Sequence, residues 1–179
     1  MTAAFHSRSL RAKSRSSLRA KVSRLRSRRT GWKAVALSLA LAACGQPAAK
    51  DDGLTGVTIT SANGAHELRV ERAVTTEQQT KGLMFRTDIP KDGGMLFAPY
   101  PPGGGAPRVA TFWMKDTPRP LDILFIRADG TIARIAENTI PNSEAMVSSG
   151  EPVAAVLEIN GGRASELGIA EGDRARWTR

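Results

Sequence analysis

Hydrophobic and polar positions alternate along the middle of this chain with the two-residue period of β-strands. Residues 57–60 read Val-Thr-Ile-Thr, and extended patterning resumes over residues 68–74. Between them, Asn63-Gly64 is a strong signal for a tight turn. Because successive side chains of a strand point to opposite faces, the stretch 57–74 predicts a β-hairpin.

The hydrophobic period changes directly after this hairpin. Residues 76–79 (Thr-Glu-Gln-Gln) fit a capping box, and Gly82 fits the position that follows the last helical residue. We therefore predict a short helix at residues 76–81. A second short helix is predicted at residues 163–167, ending at Gly168.

The remaining apolar segments predict six further strands. One of them is apolar on both faces, which is typical of a strand at the centre of a sheet, and Asp129-Gly130 predicts a tight turn between two others. Many short strands, regular turns and two small helices together predict a single mainly-β domain of sandwich or barrel type. The strands are predicted at residues 94–99, 108–114, 121–128, 131–136, 152–159 (the central one) and 173–177.

Two long loops interrupt these strands. Residues 101–107 read Pro-Pro-Gly-Gly-Gly-Ala-Pro, and this length exceeds the roughly two to five residues that usually join a hairpin. The glycines give wide backbone freedom, so we expect a mobile loop. It is either a tolerated insertion or a lid or contact surface. Residues 137–151 predict a second long polar loop.

The only cysteine, Cys44, directly follows a hydrophobic run at residues 34–43. This run is too short to cross a bilayer as a helix, which takes roughly 20 residues. Leu-Ala-Ala-Cys at residues 41–44 matches the lipoprotein box of bacteria. The charged region that precedes such a run is supplied by Arg28, Arg29 and Lys33.

The lipoprotein signal predicts an organisation in three parts. Residues 1–43 form a basic arm plus a signal peptide that is removed, residues 44–56 form a flexible tether, and residues 57–179 form the mainly-β domain. Cys44 then carries the lipid that makes the membrane a partner. Because Gly45 rather than Asp follows it, we expect a periplasmic protein anchored in the outer membrane.

The formal charge of +9 depends on the segment that we expect to be removed. Residues 1–43 hold 11 of the 26 basic residues and no acid, whereas the chain from Cys44 onward holds 15 basic and 17 acidic residues, for a formal charge of −2. A basic chain normally suggests a nucleic-acid partner. Because the mature chain is not basic, no nucleic-acid partner is expected.

Five short segments stand out along the predicted domain: Gly-Leu-Met-Phe-Arg at 82–86, Gly-Met-Leu-Phe at 94–97, Phe-Trp-Met-Lys-Asp-Thr at 112–117, Leu-Asp-Ile-Leu-Phe at 121–125, and Leu-Glu at 157–158 followed by Gly161 to Gly172-Asp173. Their order and spacing resemble the domain of unknown function 192 family over about residues 57–177. The resemblance implies a compact β-sandwich of jelly-roll type, often exported, with no established activity. Asp116 stands where that family usually has Asn.

Asp122 and Glu158 are carboxylates within apolar strands, so we expect both to be at least partly buried. A buried carboxylate needs a cation or several hydrogen-bond donors. Candidate cations are Arg86, Lys115 and Arg163. The structural interpretation is a pair of core salt bridges, and the functional alternative is an acid pair in a cleft, as hydrolases use.

The favoured function is a binding module of the cell envelope rather than an enzyme, with a small ligand or an envelope protein as its partner. Trp113 beside Lys115 is suited to stacking on a sugar or peptide ring. The alternatives are a hydrolase of envelope glycan, with the two carboxylates as its acids, and an accessory protein for metal handling. We expect the binding groove near residues 101–107, lined by Arg86, Trp113, Lys115 and Asp122.

Metal and cofactor chemistry is weakly indicated. Met84, Met95 and Met114 are soft ligands suited to Cu(I), but methionine equally fills gaps in a core. His66 is the only histidine after Cys44 and no second cysteine exists, so no zinc site is expected. No phosphate-binding loop and no Ser/His pair of a hydrolytic triad is recognised. We therefore expect no cofactor and no bound metal.

Overall fold

Nine strands and two short helices make up the part of the chain that the computed structural model describes, residues 53–178. The predicted mainly-β class with two short helices is confirmed. Within the described residues, neither helix is long and apolar enough to cross a membrane. The elements are β1 (Thr55–Ser61), β2 (Gly64–Ala73), α1 (Thr76–Lys81), β3 (Gly94–Phe97), β4 (Arg108–Phe112), β5 (Leu121–Ile126), β6 (Ile132–Ala136), β7 (Val147–Val153), β8 (Ala155–Asn160), α2 (Arg163–Leu167) and β9 (Arg174–Trp177).

Cys44, the hydrophobic run before it and the basic arm lie outside the described residues. The lipoprotein signal and the three-part organisation therefore stay predictions.

The first hairpin and helix form as predicted, and the helix has the predicted bounds, but the hairpin turn and the capping box each lie one residue earlier than predicted. β1 and β2 are antiparallel, and Ser61 lies opposite Gly64, so the connecting residues are Ala62 and Asn63. The capping box begins at Thr75 rather than at the next threonine. The Gln78 backbone N–H donates to Thr75 Oγ1 at 3.2 Å, and the Gln78 side chain accepts the Thr75 N–H at 3.0 Å.

Seven strands form one sheet in the order β6-β5-β8-β3-β2-β1-β9, in which only the β2–β3 pair is parallel. The two ends of this order are joined by backbone hydrogen bonds. The Ile132 N–H donates to the Asp173 carbonyl at 2.8 Å, and the Ala175 N–H donates to the Gly130 carbonyl at 2.8 Å. The sheet therefore curls until its edges meet, which leaves few unpaired backbone groups at those ends.

The curled sheet is apolar on both faces, because the side chains of β5 and β8 alternate between two separate cores. The inner core receives Leu124 of β5 with Leu157 and Ile159 of β8. The outer core receives Ile123 of β5 and Val156 of β8. This explains why the central strand reads as continuously apolar in the sequence.

A second sheet of two strands, β4 and β7, contributes Ala110 and Val153 to the outer core. The prediction of a polar loop over residues 137–151 was wrong for its last part, which is β7. The strand is stabilised by a buried serine: Ser149 Oγ accepts the Ala110 N–H at 2.9 Å and donates to the Glu151 carbonyl at 2.7 Å. The hydrophobic pattern of the sequence gives no sign of this hydrogen-bonding serine.

The loop at residues 101–107 joins β3 to β4, which lie in different sheets. The two strands therefore do not form a hairpin, which agrees with a loop that is longer than a hairpin connection. The loop is locally ordered by a turn, in which the Gly104 N–H donates to the Pro101 carbonyl at 3.0 Å.

Candidate functional site

A cleft of about 310 Å³ lies between α1, with the turn that follows it, and β4. Its lining combines aromatic rings, four threonines, two cations and one carboxyl group, a mixture that suits a ligand with both apolar and polar parts. The lining residues are Thr76, Gln79, Thr80, Lys81, Gly82, Leu83, Met84, Phe97, Tyr100, Pro102, Arg108, Thr111, Phe112, Trp113, Thr117 and Glu158.

Aromatic packing holds one side of the cleft in place. The ring of Phe112 lies edge-on to Phe97 with centroids 5.1 Å apart, and its centroid is 6.0 Å from that of Tyr100. It also contacts Phe125 of the outer core at 6.1 Å. Such pairs add roughly 0.5–1.5 kcal/mol each beyond the burial of their surface, so this wall is rigid.

Glu158 is the only carboxyl group in the lining, and its side chain projects from β8 on the outer face of the sheet, opposite Met95 and Ile123. The residue is 5% exposed. No hydrogen bond or ion pair to another residue in the range 53–178 satisfies its side chain. Burial away from water raises the pKa of this carboxyl to about 8. At neutral pH the group therefore carries a proton and can donate a hydrogen bond.

Gly82 lets the chain pass closely over this carboxyl group. A Cβ atom at this position would lie 3.3 Å from Phe97 Cζ and 3.9 Å from Glu158 Oε2. The φ angle of Gly82 is +49°, in the region that favours glycine. The end of α1 is thus fixed directly beside the floor of the cleft.

Two cations in the lining have no acidic partner. Neither Lys81 nor Arg108 makes an ion pair with another residue of the described part of the chain. The Arg108 guanidinium instead lies 5.6 Å from the centroid of the Tyr100 ring. With the only carboxyl group neutral at pH 7, the charge of the cleft is positive.

Gln79 ties the helical side of the cleft to the strand behind it. Its Nε2 donates to the carbonyls of Ala73 at 3.0 Å and Pro99 at 2.8 Å. Its Oε1 is buried without a hydrogen-bond partner in the described residues. The amide is therefore held in one orientation by its two donors, and α1 is held with it.

Of the four residues predicted to line the groove, the structure brings together Trp113 and Lys115. Trp113 lines the cleft, and Lys115 Nζ lies 5.3 Å from its ring centroid, a cation–π distance. Arg86 is not in the lining and instead pairs with Glu71 at 2.8 Å. Met84 reaches the lining, whereas Met95 and Met114 belong to the outer core.

Asp122, the fourth residue predicted to line the groove, lies on the face of the sheet that carries the inner core. It lies opposite Ile159 in the β5–β8 pair, one position away from the Ile123–Glu158 pair, so the two carboxyl groups lie on opposite faces. The acid pair of the hydrolase alternative is therefore not formed by Asp122 and Glu158. Neither carboxyl group pairs with a cation among residues 53–178. The predicted cations pair elsewhere, Arg86 as described, Lys115 with Glu144, and Arg163 with Asp92 at 2.5 Å and with Glu166.

Backbone donors satisfy Asp122 instead of a cation. Its Oδ1 accepts the N–H groups of Asn138 at 2.8 Å and Gly162 at 2.9 Å, and its Oδ2 accepts the Ala164 N–H at 2.8 Å. The residue is 0% exposed. Gly162 gives α2 no side-chain cap. Asp122, on strand β5, instead accepts the backbone N–H groups at the start of this helix.

The sequence also concealed one Ser/His contact. Ser61 Oγ lies 3.0 Å from His66 Nε2 across the first hairpin, and the same hydroxyl donates to the Leu167 carbonyl at 3.3 Å. Strand pairing brings them together. Residues 53–178 also contain no group of three or more His, Cys, Asp or Glu side chains that could hold a metal ion.

Comparison with known proteins identifies the family. The model of DUF192, described as uncharacterized ACR, matches residues 57–177. This chain belongs to the DUF192 family. No curated protein matches it.

Two solved structures resemble this DUF192 protein. One is a protein from Sinorhizobium meliloti 1021, named a candidate transcription regulator, with 46% identity and a TM-score of 0.64. The match covers 69% of this chain and 93% of that one. The other is a protein of unknown function from Novosphingobium aromaticivorans DSM 12444, with 44% identity and a TM-score of 0.65, covering 69% of this chain and 85% of that one.

Asp116 of this DUF192 protein lies in a turn with a left-handed backbone conformation. Asp116 has a φ angle of +54°, and its carbonyl accepts the N–H of Phe85, which has a φ angle of +63°, at 2.7 Å. Asn and Asp tolerate this left-handed conformation better than other side chains. Asp116 can therefore adopt the conformation that this turn requires.

Proposed function

We propose that this DUF192 protein is a lipid-anchored periplasmic binding module whose cleft takes a ligand with an apolar part and an anionic group. One observation carries the proposal: Glu158 lies buried at the floor of an aromatic cleft without a partner among residues 53–178, and the same lining holds two cations without an acidic partner in that range. A protein rarely retains a buried carboxyl group without a partner. A bound ligand would supply that partner, accepting a hydrogen bond from the neutral acid.

A hydrolase of envelope glycan is the second candidate, because a carboxyl group with a raised pKa is suited to act as a general acid. Glycoside hydrolysis normally uses a second carboxylate across the scissile bond. The cleft lining offers only Glu158, so we favour binding. Glu158→Gln would abolish turnover by such an enzyme, whereas a binding protein would retain a measurable affinity.

The name of the Sinorhizobium meliloti relative raises regulation of transcription as a further role. We do not extend this role to the present chain. The residues from Cys44 onward have a formal charge of −2, and affinity for nucleic acid depends largely on the neutralisation of phosphates by basic residues. Our proposal therefore includes no nucleic-acid partner.

Ligand binding at the cleft is expected to raise the melting temperature. The screen covers envelope sugars, peptides and metal ions, because a ligand that binds only the folded state stabilises it. Trp113→Ala and Arg108→Ala are each expected to reduce the shift in melting temperature that a hit produces by at least about half. Arg119→Ala, which replaces an exposed arginine outside the lining, is the matched control. A screen without a hit, or a hit that shifts all variants equally, would refute the proposal.

The lipid anchor is tested separately by metabolic labelling with a fatty-acid probe. The wild-type chain is expected to incorporate the probe and Cys44→Ala to incorporate none, because the Cys44 thiol is the predicted acceptor. Cell fractionation is then expected to find the labelled protein in the outer-membrane fraction. Equal labelling of both chains would show that the predicted lipoprotein signal is wrong.

A further inference from the structure

We propose that the ligand of this cleft is an extended acidic peptide that adds as a third strand to the free edge of β4. The inference rests on the proposed function, because it names the class of ligand that the same cleft takes.

The first argument is the pairing of β4. Within residues 53–178 this strand pairs with β7 alone, so its other edge has no strand partner. An unpaired edge presents backbone N–H and C=O groups that bind another extended chain readily. Peptide ligands supply matching groups at the same spacing, whereas sugars do not.

The second argument is the position of the cleft relative to this edge. Side chains of neighbouring strand residues point to opposite faces, yet Thr111 and Phe112 both line the cleft. The cleft therefore runs along the edge of β4 rather than over one of its faces. Its other wall is α1 and the turn at residues 82–84, so a guest strand would lie between a strand edge and a helix.

The third argument concerns the side chains that such a guest would meet. On one side, alternate side chains would point toward Phe97 and the neutral Glu158 at the floor. Near the ends of β4, Val109 is 49% exposed and Trp113 is 38% exposed. They offer apolar contacts for the other side chains of the peptide.

The fourth argument is charge. Lys81 on α1 and Arg108 at the start of β4 both line the cleft without an acidic partner among the described residues. Acidic side chains of the guest strand would complement them, which favours an acidic peptide over a basic or a neutral one.

The test is amide hydrogen exchange of the full chain with a defined peptide pool. The pool contains acetylated, amidated octapeptides of the pattern (Xaa-Glu)₄, in which Xaa is valine, threonine, phenylalanine or tyrosine. The pool is expected to slow exchange of amides in residues 108–113 at least about tenfold, because edge amides gain hydrogen bonds. The same pool with every amide N-methylated keeps its charge, but its methyl groups block close approach to a strand edge and its N–H donors are lost. It is therefore expected to give no protection.

Two comparisons test the charge and the class of ligand. A lysine pool of the pattern (Xaa-Lys)₄ is expected to protect residues 108–113 less, and Arg108→Ala is expected to weaken protection by the glutamate pool while Arg119→Ala does not. Protection that survives N-methylation would overturn strand pairing. A sugar or metal hit that depends on Trp113 and Arg108, with no protection by either peptide pool, would overturn the peptide and leave the proposed function standing. No cleft ligand of any class would overturn both.

Discussion

Asp122→Ala is expected to lower the free energy of unfolding by about 3–5 kcal/mol. The substitution leaves three backbone N–H groups without their acceptor, those of Asn138, Gly162 and Ala164. Each buried donor that loses its partner costs roughly 1–3 kcal/mol. Denaturant unfolding monitored by fluorescence or circular dichroism measures the loss.

Asp122→Asn separates hydrogen bonding from simple loss of volume. The asparagine oxygen can still accept from two of the three donors, but its NH₂ group would face the third, so an intermediate loss is expected. Asp88→Ala, which makes the same chemical change at an exposed position, is expected to unfold like the wild type. If both Asp122 variants also unfold like the wild type, the three-donor account of this residue fails.

Glu158→Gln is expected to remove a large pH dependence of stability. The carboxyl has a pKa of about 8 when folded and an ordinary value of 4.5, so between these values the folded state holds a proton that the unfolded state releases. Stability must therefore fall as pH rises through this window. The two pKa values correspond to about 5 kcal/mol between pH 4.5 and pH 8. Glutamine cannot ionise, so the variant lacks this contribution to the pH dependence of stability.

The measurement is the difference in unfolding free energy between Glu158→Gln and the wild type at several pH values from 4.5 to 9. The variant is expected to gain on the wild type steadily up to about pH 8 and to hold that advantage above it. Glu137→Gln, at an exposed position, controls for the substitution itself. Parallel curves for the variant and the wild type would mean that Glu158 has a partner or is open to water.

Asp122 and Glu158 show which properties of a residue the sequence predicts and which it does not. Both stand in apolar strands, and their burial follows from that pattern. Because they are separated by 36 positions along the chain, nothing in the pattern fixes the register of β5 against β8. That register puts them on opposite faces of the sheet, so one became an acceptor for a helix start and the other the floor of a cleft.

The candidate site was recovered in part for the same reason. Trp113 and Lys115 are close in sequence, so only an extended local backbone is needed to place their side chains on the same side. Arg86 instead pairs with Glu71, a residue on β2 that only the folded chain brings close to it. Thr80 of α1 and Thr111 of β4 carried no signal at all, and they became lining residues only because the second sheet packs beside the helix.

The sequence by itself determined the mainly-β class, most of the strands and both helices, because alternation, capping residues and turn residues act over a few neighbouring positions. It also carried the family pattern over residues 57–177. Only the tertiary structure decided that the sheet curls until its ends meet, that β7 forms, and that β4 pairs with a single strand among residues 53–178. Those features depend on pairing between distant segments, whose free energy comes from partners that no local stretch of sequence contains.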